Sequence, residues 1–301
     1  MKQLSAILLV LFLTALLLGL TACAPEPDES AEAPDEPQAA TETAAEPPEG
    51  FLEVTPPFSL DWDSDGEEET IDIRTVKVSN GSTAYHLELE NGGSTWRSMN
   101  LGVWSVELFL TDLDGDGAPE LFLSGDSGSV DYTTYCWHLT GSDPEPVKFS
   151  GETRYPNAAS LELVDGRFCG LGGDGEVLLS SCLYMLGTYT GVRPYAFNDA
   201  GEIAPVEGSI WDYTENELAI TTRIDLTADT ASERNGVPDG GTLTLPAGTR
   251  LTLTGSDGVS RAWFATEDGR FGSFAAEKVD WQWFIAGMDE NEVFSDLPYA
   301  G

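Results

Sequence analysis

Two stretches of this chain place carboxylates at alternate positions. In DWDSDGEEE, Asp61, Asp63 and Asp65 are followed by Gly66, Glu67 and Glu69; in DLDGDGAPE, Asp112, Asp114 and Asp116 are followed by Gly117, Ala118 and Glu120. Calcium is a hard cation that takes about six to eight oxygens, and a short loop supplies them only when every second side chain points inward. Glycine at the sixth place permits the sharp turn, the seventh residue offers its carbonyl, and an acid at the ninth ligates directly or through water. Both loops meet these demands. The competing reading of either alone is a solvated acidic turn, and two copies in register, each at the mouth of an apolar strand, favour calcium. A helical calcium hand is excluded for the second loop by Leu123 at the twelfth place. In the first, Asp72 stands at that place, but the residues after it alternate as in a strand.

The elements that hold these loops read as strands. TIDIRTVKV (70–78) alternates apolar and polar and ends at Asn80-Gly81, a hairpin signal, while AYHLELE (84–90) stops at Asn91-Gly92-Gly93. WSVELFL (104–110) and ELFLS (120–124) flank the second loop, with further strands expected at 131–139, 160–164, 176–186 and 217–226. No amphipathic helix longer than two turns is expected in the folded part, so the class is all-β. The two acidic loops start fifty-one residues apart, and LGGDGEVLL (171–179) reads as a decayed third copy in which Asp174-Gly175 survive. A period near fifty, with about four strands per unit, is that of propeller blades.

TDLDGDGAPELFL and SLDWDSDGEEETIDI resemble the repeats of FG-GAP and VCBS proteins, the integrin-type propellers, whose loops read D-x-D-G-D-G-x-x-[DE] before an apolar strand. The resemblance covers about residues 58–130. It implies that Asp61, Asp63, Asp65 and Glu69, and likewise Asp112, Asp114, Asp116 and Glu120, hold calcium, with the carbonyls of Glu67 and Ala118 assisting. It also implies ions that staple blades and loops on one face that meet partners. Residues 51–239 have room for three or four such blades. In the C-terminal segment 240–301, DGRFGSF resembles a turn of bacterial Src-homology-3-like small barrels, although Ser273 stands where those often carry tryptophan. A small β-barrel-like domain is expected there.

Three tryptophans are candidate ligand contacts. Trp62, between two ligand positions, is expected to point outward, either to a partner or onto the neighbouring blade. Trp281 and Trp283 in VDWQWF are expected to share one strand face, as a platform for a sugar ring or as barrel core. Catalytic candidates are few. GDSGS (125–129) resembles the nucleophile segment of trypsin-like proteases, but its spacing from His86 is far too short for that fold. The chain has only two histidines, His86 and His138.

Acidic residues number 52 against 14 basic ones, which excludes a phosphate-neutralising nucleic-acid surface. The same balance disfavours docking on anionic lipid and favours cations. Residues 1–22 run from a charged start through an apolar core to small residues, as a secretory signal does. LTAC, ending at Cys23, resembles the lipobox of bacterial lipoproteins, which implies that Cys23 carries the lipid and that the protein sits on the outer face of a bacterial membrane. Residues 23–50, rich in Pro and Glu without large apolar side chains, are expected to be a disordered acidic stalk. Three further cysteines, Cys136, Cys169 and Cys182, cannot all pair; Cys169 and Cys182 are either cross-strand neighbours or free thiols. The resulting expectation is a calcium-binding surface lipoprotein that binds a protein or glycan ligand. The competing expectation is a surface hydrolase of glycan or peptide with structural calcium.

Overall fold

The computed structural model describes residues 50–78, 81–128, 131–141, 143–150, 163–173, 175–213 and 216–299. The expected signal segment, Cys23 and nearly all of the expected stalk lie outside the described residues, as do Asp174 and residues 160–162. The described chain is all-β; its single helix, α1 (Glu290–Val293), has four residues.

Three antiparallel meanders follow one another. After the short edge strand β1 (Leu52–Val54), the first comprises β2 (Phe58–Leu60), β3 (Glu69–Lys77), β4 (Thr83–Asn91) and β5 (Ser94–Arg97), paired in chain order. Its last hairpin turns on Gly92 and Gly93, both at positive φ, where a side chain would be strained. The second meander comprises β6 (Ser105–Thr111), β7 (Glu120–Asp126), β8 (Tyr132–His138) and β9 (Glu145–Pro146), with β1 along β6 and β10 (Leu163–Asp165) along β8. The third comprises β11 (Arg167–Leu171), β12 (Glu176–Leu183), β13 (Tyr189–Phe197) and β14 (Ile203–Pro205).

From there the third sheet continues into the C-terminal part. It contains β15 (Trp211–Asp212), β16 (Ala219–Thr222), β17 (Leu226–Ala231), β18 (Pro238–Leu245), β19 (Arg250–Ser256), β20 (Arg261–Thr266) and β21 (Phe271–Val279). It ends with β22 (Gln282–Ile285), β23 (Met288–Asp289), α1 and β24 (Phe294–Ser295). β15 bridges β13 to β19, and the order continues β20, β21, β17, β18. None of the three sheets is closed into a barrel. The domain boundary expected at 239/240 falls inside β18, and residues 219–231 pair with strands of the C-terminal segment. The single strand expected at 217–226 is instead two, interrupted between Thr222 and Leu226.

The middle sheet is buried on both faces, which explains why ELFLS reads as a continuous apolar run and not as an alternation. Leu108 and Leu110 of β6, Leu121 and Leu123 of β7 and Trp137 of β8 pack with Ile71, Leu87 and Leu89 of the first meander. Their neighbours Phe109, Phe122 and Cys136 point to the other face, into a core shared with Phe168, Val177 and Leu179 of the third meander. Phe122 meets the Phe168 ring at a centroid distance of 5.1 Å. Phe122→Ala should therefore cost about 3–5 kcal/mol of unfolding free energy by denaturant titration, since it empties a fully buried site between two sheets. A loss comparable to that of a surface substitution would contradict this stacking.

Candidate metal centres

The acidic loops occupy equivalent places, the first between β2 and β3 and the second between β6 and β7. The same hydrogen bonds shape both. The N–H of Gly66 donates to Asp61 Oδ2 at 3.0 Å, and that of Gly117 to Asp112 Oδ2 at 3.1 Å. Asp65 N–H donates to Asp63 Oδ1 at 3.2 Å, and Asp116 N–H to Asp114 Oδ1 at 3.1 Å. Glu67 N–H reaches Asp65 Oδ1 and Ala118 N–H reaches Asp116 Oδ1, each at 2.8 Å. Finally, Trp62 N–H donates to Glu69 Oε2 at 2.9 Å, and Leu113 N–H to Glu120 Oε2 at 2.6 Å. Gly66 and Gly117 share a φ of +93°, which only glycine adopts without strain.

These bonds gather oxygens on the inside of each turn. One carboxylate oxygen from each of Asp61, Asp63, Asp65 and Glu69 lies within 4.8 Å of the others, and the same holds for Asp112, Asp114 and Glu120. Asp116 joins the second loop from its outer side, grouped with Asp114 and His138. The ninth-place acids are the first residues of β3 and β7 and are buried, Glu69 at 1% and Glu120 at 0% exposure. Glu120 Oε1 has no hydrogen-bond partner. Burial raises the Glu120 carboxyl from its ordinary 4.5 to about 8; the Leu113 N–H opposes this, and the charges of Asp114, Asp112 and Asp116 add to it. Burial also raises Glu69. The all-oxygen set of the first loop fits a hard divalent cation, and the orphaned buried acceptor of the second is an oxygen that a cation would satisfy.

The third copy has a different shape. Four residues, 172–175, separate β11 from β12, where eight separate the strands that flank each of the other two loops. Glu176 nevertheless starts β12 as Glu69 and Glu120 start β3 and β7, and accepts from Gly173 N–H at 3.0 Å. The acid at the strand mouth is retained, and among the described residues no cluster of acids forms around it.

Trp62 does not project outward. It is 3% exposed, packs in the core between the first two meanders, and donates through Nε1 to Gly141 O at 3.1 Å. Of the two expectations for this side chain, the contact onto the neighbouring meander holds. Trp281 and Trp283 differ in exposure, Trp281 in the turn between β21 and β22 at 90% and Trp283 in β22 at 4%, yet both line one cleft. Lys278 Nζ lies 5.7 Å from the Trp281 ring and 5.4 Å from that of Trp283. Beside them a cleft of about 970 Å³ is lined by Tyr184, Lys278, Trp281, Glu290 and Tyr299, among others. Cys136, Cys169 and Cys182 are free thiols, with Cys169 at a bulge facing no cysteine. Ser127 Oγ donates to Asp131 O, and His86 Nδ1 lies 3.0 Å from Ser98 O, so each engages the backbone of its own meander.

Two loop neighbours escape a reading by spacing alone. Asn91, the last residue of β4, donates to Asp63 Oδ2 at 3.1 Å and to Gly141 O at 3.3 Å. His138, the last residue of β8, pairs across the sheet with Glu120. His138 stands opposite the ninth-place acid, and Asn91 follows Glu90, which pairs with Thr70 next to the other; both positions follow from hairpin register. Compared with known proteins, the chain matches no family model, and no curated protein or solved structure is significantly similar to it. No described helix is long and apolar enough to cross a membrane.

The raised Glu120 carboxyl contributes a pH response to the metal-free chain. Its native value of about 8 exceeds the ordinary 4.5, so the stability it contributes is complete below pH 4.5 and is lost as pH rises through about 8. In chelator, Glu120→Gln should flatten the decline in stability over that interval, because the amide keeps an acceptor for Leu113 N–H without the buried charge. Thermal unfolding of both proteins at several pH values reads this directly, and parallel curves would contradict it.

Proposed function

We propose that this chain is a calcium-stapled β module held at the outer face of a bacterial membrane by a lipid on Cys23, where it binds a protein or glycan ligand. The observation that carries the calcium reading is the repetition of one four-bond network in two loops, each ending on a buried acid that starts a strand. An acidic turn free in solvent has no need of a glutamate sealed in the core.

In this reading Asp61, Asp63, Asp65 and Glu69 hold one ion and Asp112, Asp114, Asp116 and Glu120 a second, with the carbonyls of Glu67 and Ala118 assisting. The ions supply positive charge that offsets carboxylate repulsion and fix the turns that feed β3 and β7. Extracellular calcium sites bind at roughly 0.1–1 mM, so such ions act as constitutive staples. The three consecutive meanders with loops in equivalent places support a small or partial propeller of FG-GAP/VCBS type. The antiparallel succession β19, β20, β21, β17, β18 of short strands supports the small-barrel reading of the C-terminal part. For ligand contact, the exposed Trp281 beside Lys278 is the best-placed of the three tryptophans, since an uncovered indole offers a flat apolar face to a sugar ring or an apolar side chain.

Thermal unfolding of the full chain in EDTA, in calcium and in matched magnesium tests the staple. Calcium at about a hundredfold over its dissociation constant should add ~2.7 kcal/mol per site, and the double variant Asp112→Ala, Asp116→Ala should lose about half of the total. Equal curves in EDTA and calcium would sink the reading. Trp281→Ala should leave this calcium response unchanged while weakening ligand capture in a glycan and surface-protein screen.

A further inference from the structure

The two loops share their acids but differ in the residue that ends the neighbouring strand. The first has Asn91, whose amide donates to Asp63 Oδ2 at 3.1 Å and so caps an oxygen of the cluster. The second has His138, whose Nε2 lies 3.4 Å from Asp116 Oδ2 and 3.8 Å from Glu120 Oε1. Neither His138 Nε2 nor Glu120 Oε1 has a hydrogen-bond partner, although both atoms are buried. Two unpartnered buried polar atoms therefore face each other across a gap too wide for a hydrogen bond.

We propose that the second loop is a mixed nitrogen–oxygen site that takes a zinc-like transition-metal cation in competition with calcium, with the clustered His138, Asp116 and Asp114 as ligands and Glu120, 3.8 Å from the His138 ring nitrogen, moving in as the fourth. This rests on reading the loop as a cation site. Imidazole is a good ligand for zinc and other late first-row metals, whereas calcium is served by oxygen. Zinc bonds its ligands at about 2.0–2.1 Å, which in a tetrahedron sets ligand atoms about 3.3–3.4 Å apart. The His138–Asp116 separation matches that spacing, and the His138–Glu120 separation needs only a small side-chain adjustment. A cavity of about 530 Å³ borders Asp114 and His138; on its wall the carboxylates of Glu145 and Glu202 stand against the single ammonium of Lys148, leaving a negative approach for a cation. The first loop has no imidazole in its cluster and stays an oxygen site.

The test is a titration of the metal-free full chain with zinc, followed by calorimetry and by the ring resonances of its two histidines, with calcium titrated in parallel. Zinc should bind one equivalent to the metal-free chain, displace one of two calcium ions when added to the calcium-loaded chain, and shift the His138 ring while leaving His86 in place. His138→Asn, which copies the first loop, should weaken zinc binding at least about tenfold and keep calcium stabilisation, which also shows that the variant folds. Unchanged zinc affinity in that variant, or a shift confined to His86, overturns the assignment. Calcium binding with no zinc binding overturns it too, while leaving the staple reading intact; binding of neither ion removes both.

Discussion

Carboxylate crowding is the constraint on which the first half of this molecule depends. In each loop, oxygens from at least three acids lie within 4.8 Å of one another. Like charges at such distances repel by about 3–4 kcal/mol per pair at an effective dielectric constant of 20. Among the described residues, the only basic side chain paired with these acids is His138. Backbone N–H groups partly relieve the strain, and four of these bonds recur in both loops, so the turns are shaped alike to keep the carboxylates together. A chain with 52 acidic residues has ample surface on which to place acids; gathering them around a buried glutamate makes sense when a cation completes the turn.

The loops act on the fold because of where they sit. Each delivers a buried glutamate to the start of a strand whose apolar residues knit two sheets together: Ile71 lies just beyond Glu69, and Leu121 to Leu123 just beyond Glu120. The first loop is also tied to the second meander, since Trp62 Nε1 and Asn91 Nδ2 both donate to Gly141 O beyond β8. A change in the first loop is thereby felt in the neighbouring sheet. The C-terminal part shares the core of the third meander through β15 and β19, so its strands are a continuation of that sheet.

Much of this was legible in the sequence. The all-β class follows from alternation such as TIDIRTVKV, and both acidic clusters follow from spacing, because ligands within one turn are fixed by local geometry. The features that depend on pairing were not legible. Trp62 turned inward because Gly141, seventy-nine residues away, offers its carbonyl. Trp281 stays exposed while Trp283 is buried because the chain turns at Asp280, where φ is +55°, and only Trp283 lies within β22. His138 looked like an ordinary strand residue; only the register that sets it against Glu120 brings its ring to the loop. The third copy keeps its glutamate, but only four residues separate β11 from β12 where eight separate the strands of the other two acidic loops.

Calcium stoichiometry tests the central claim most directly. Equilibrium dialysis of the full chain against labelled calcium should yield two bound ions, one after Asp61→Ala, one after Asp112→Ala and none when both are replaced. Binding that is absent in the parent chain, or that survives the double replacement undiminished, would contradict the account and leave the repeated loops as acidic turns.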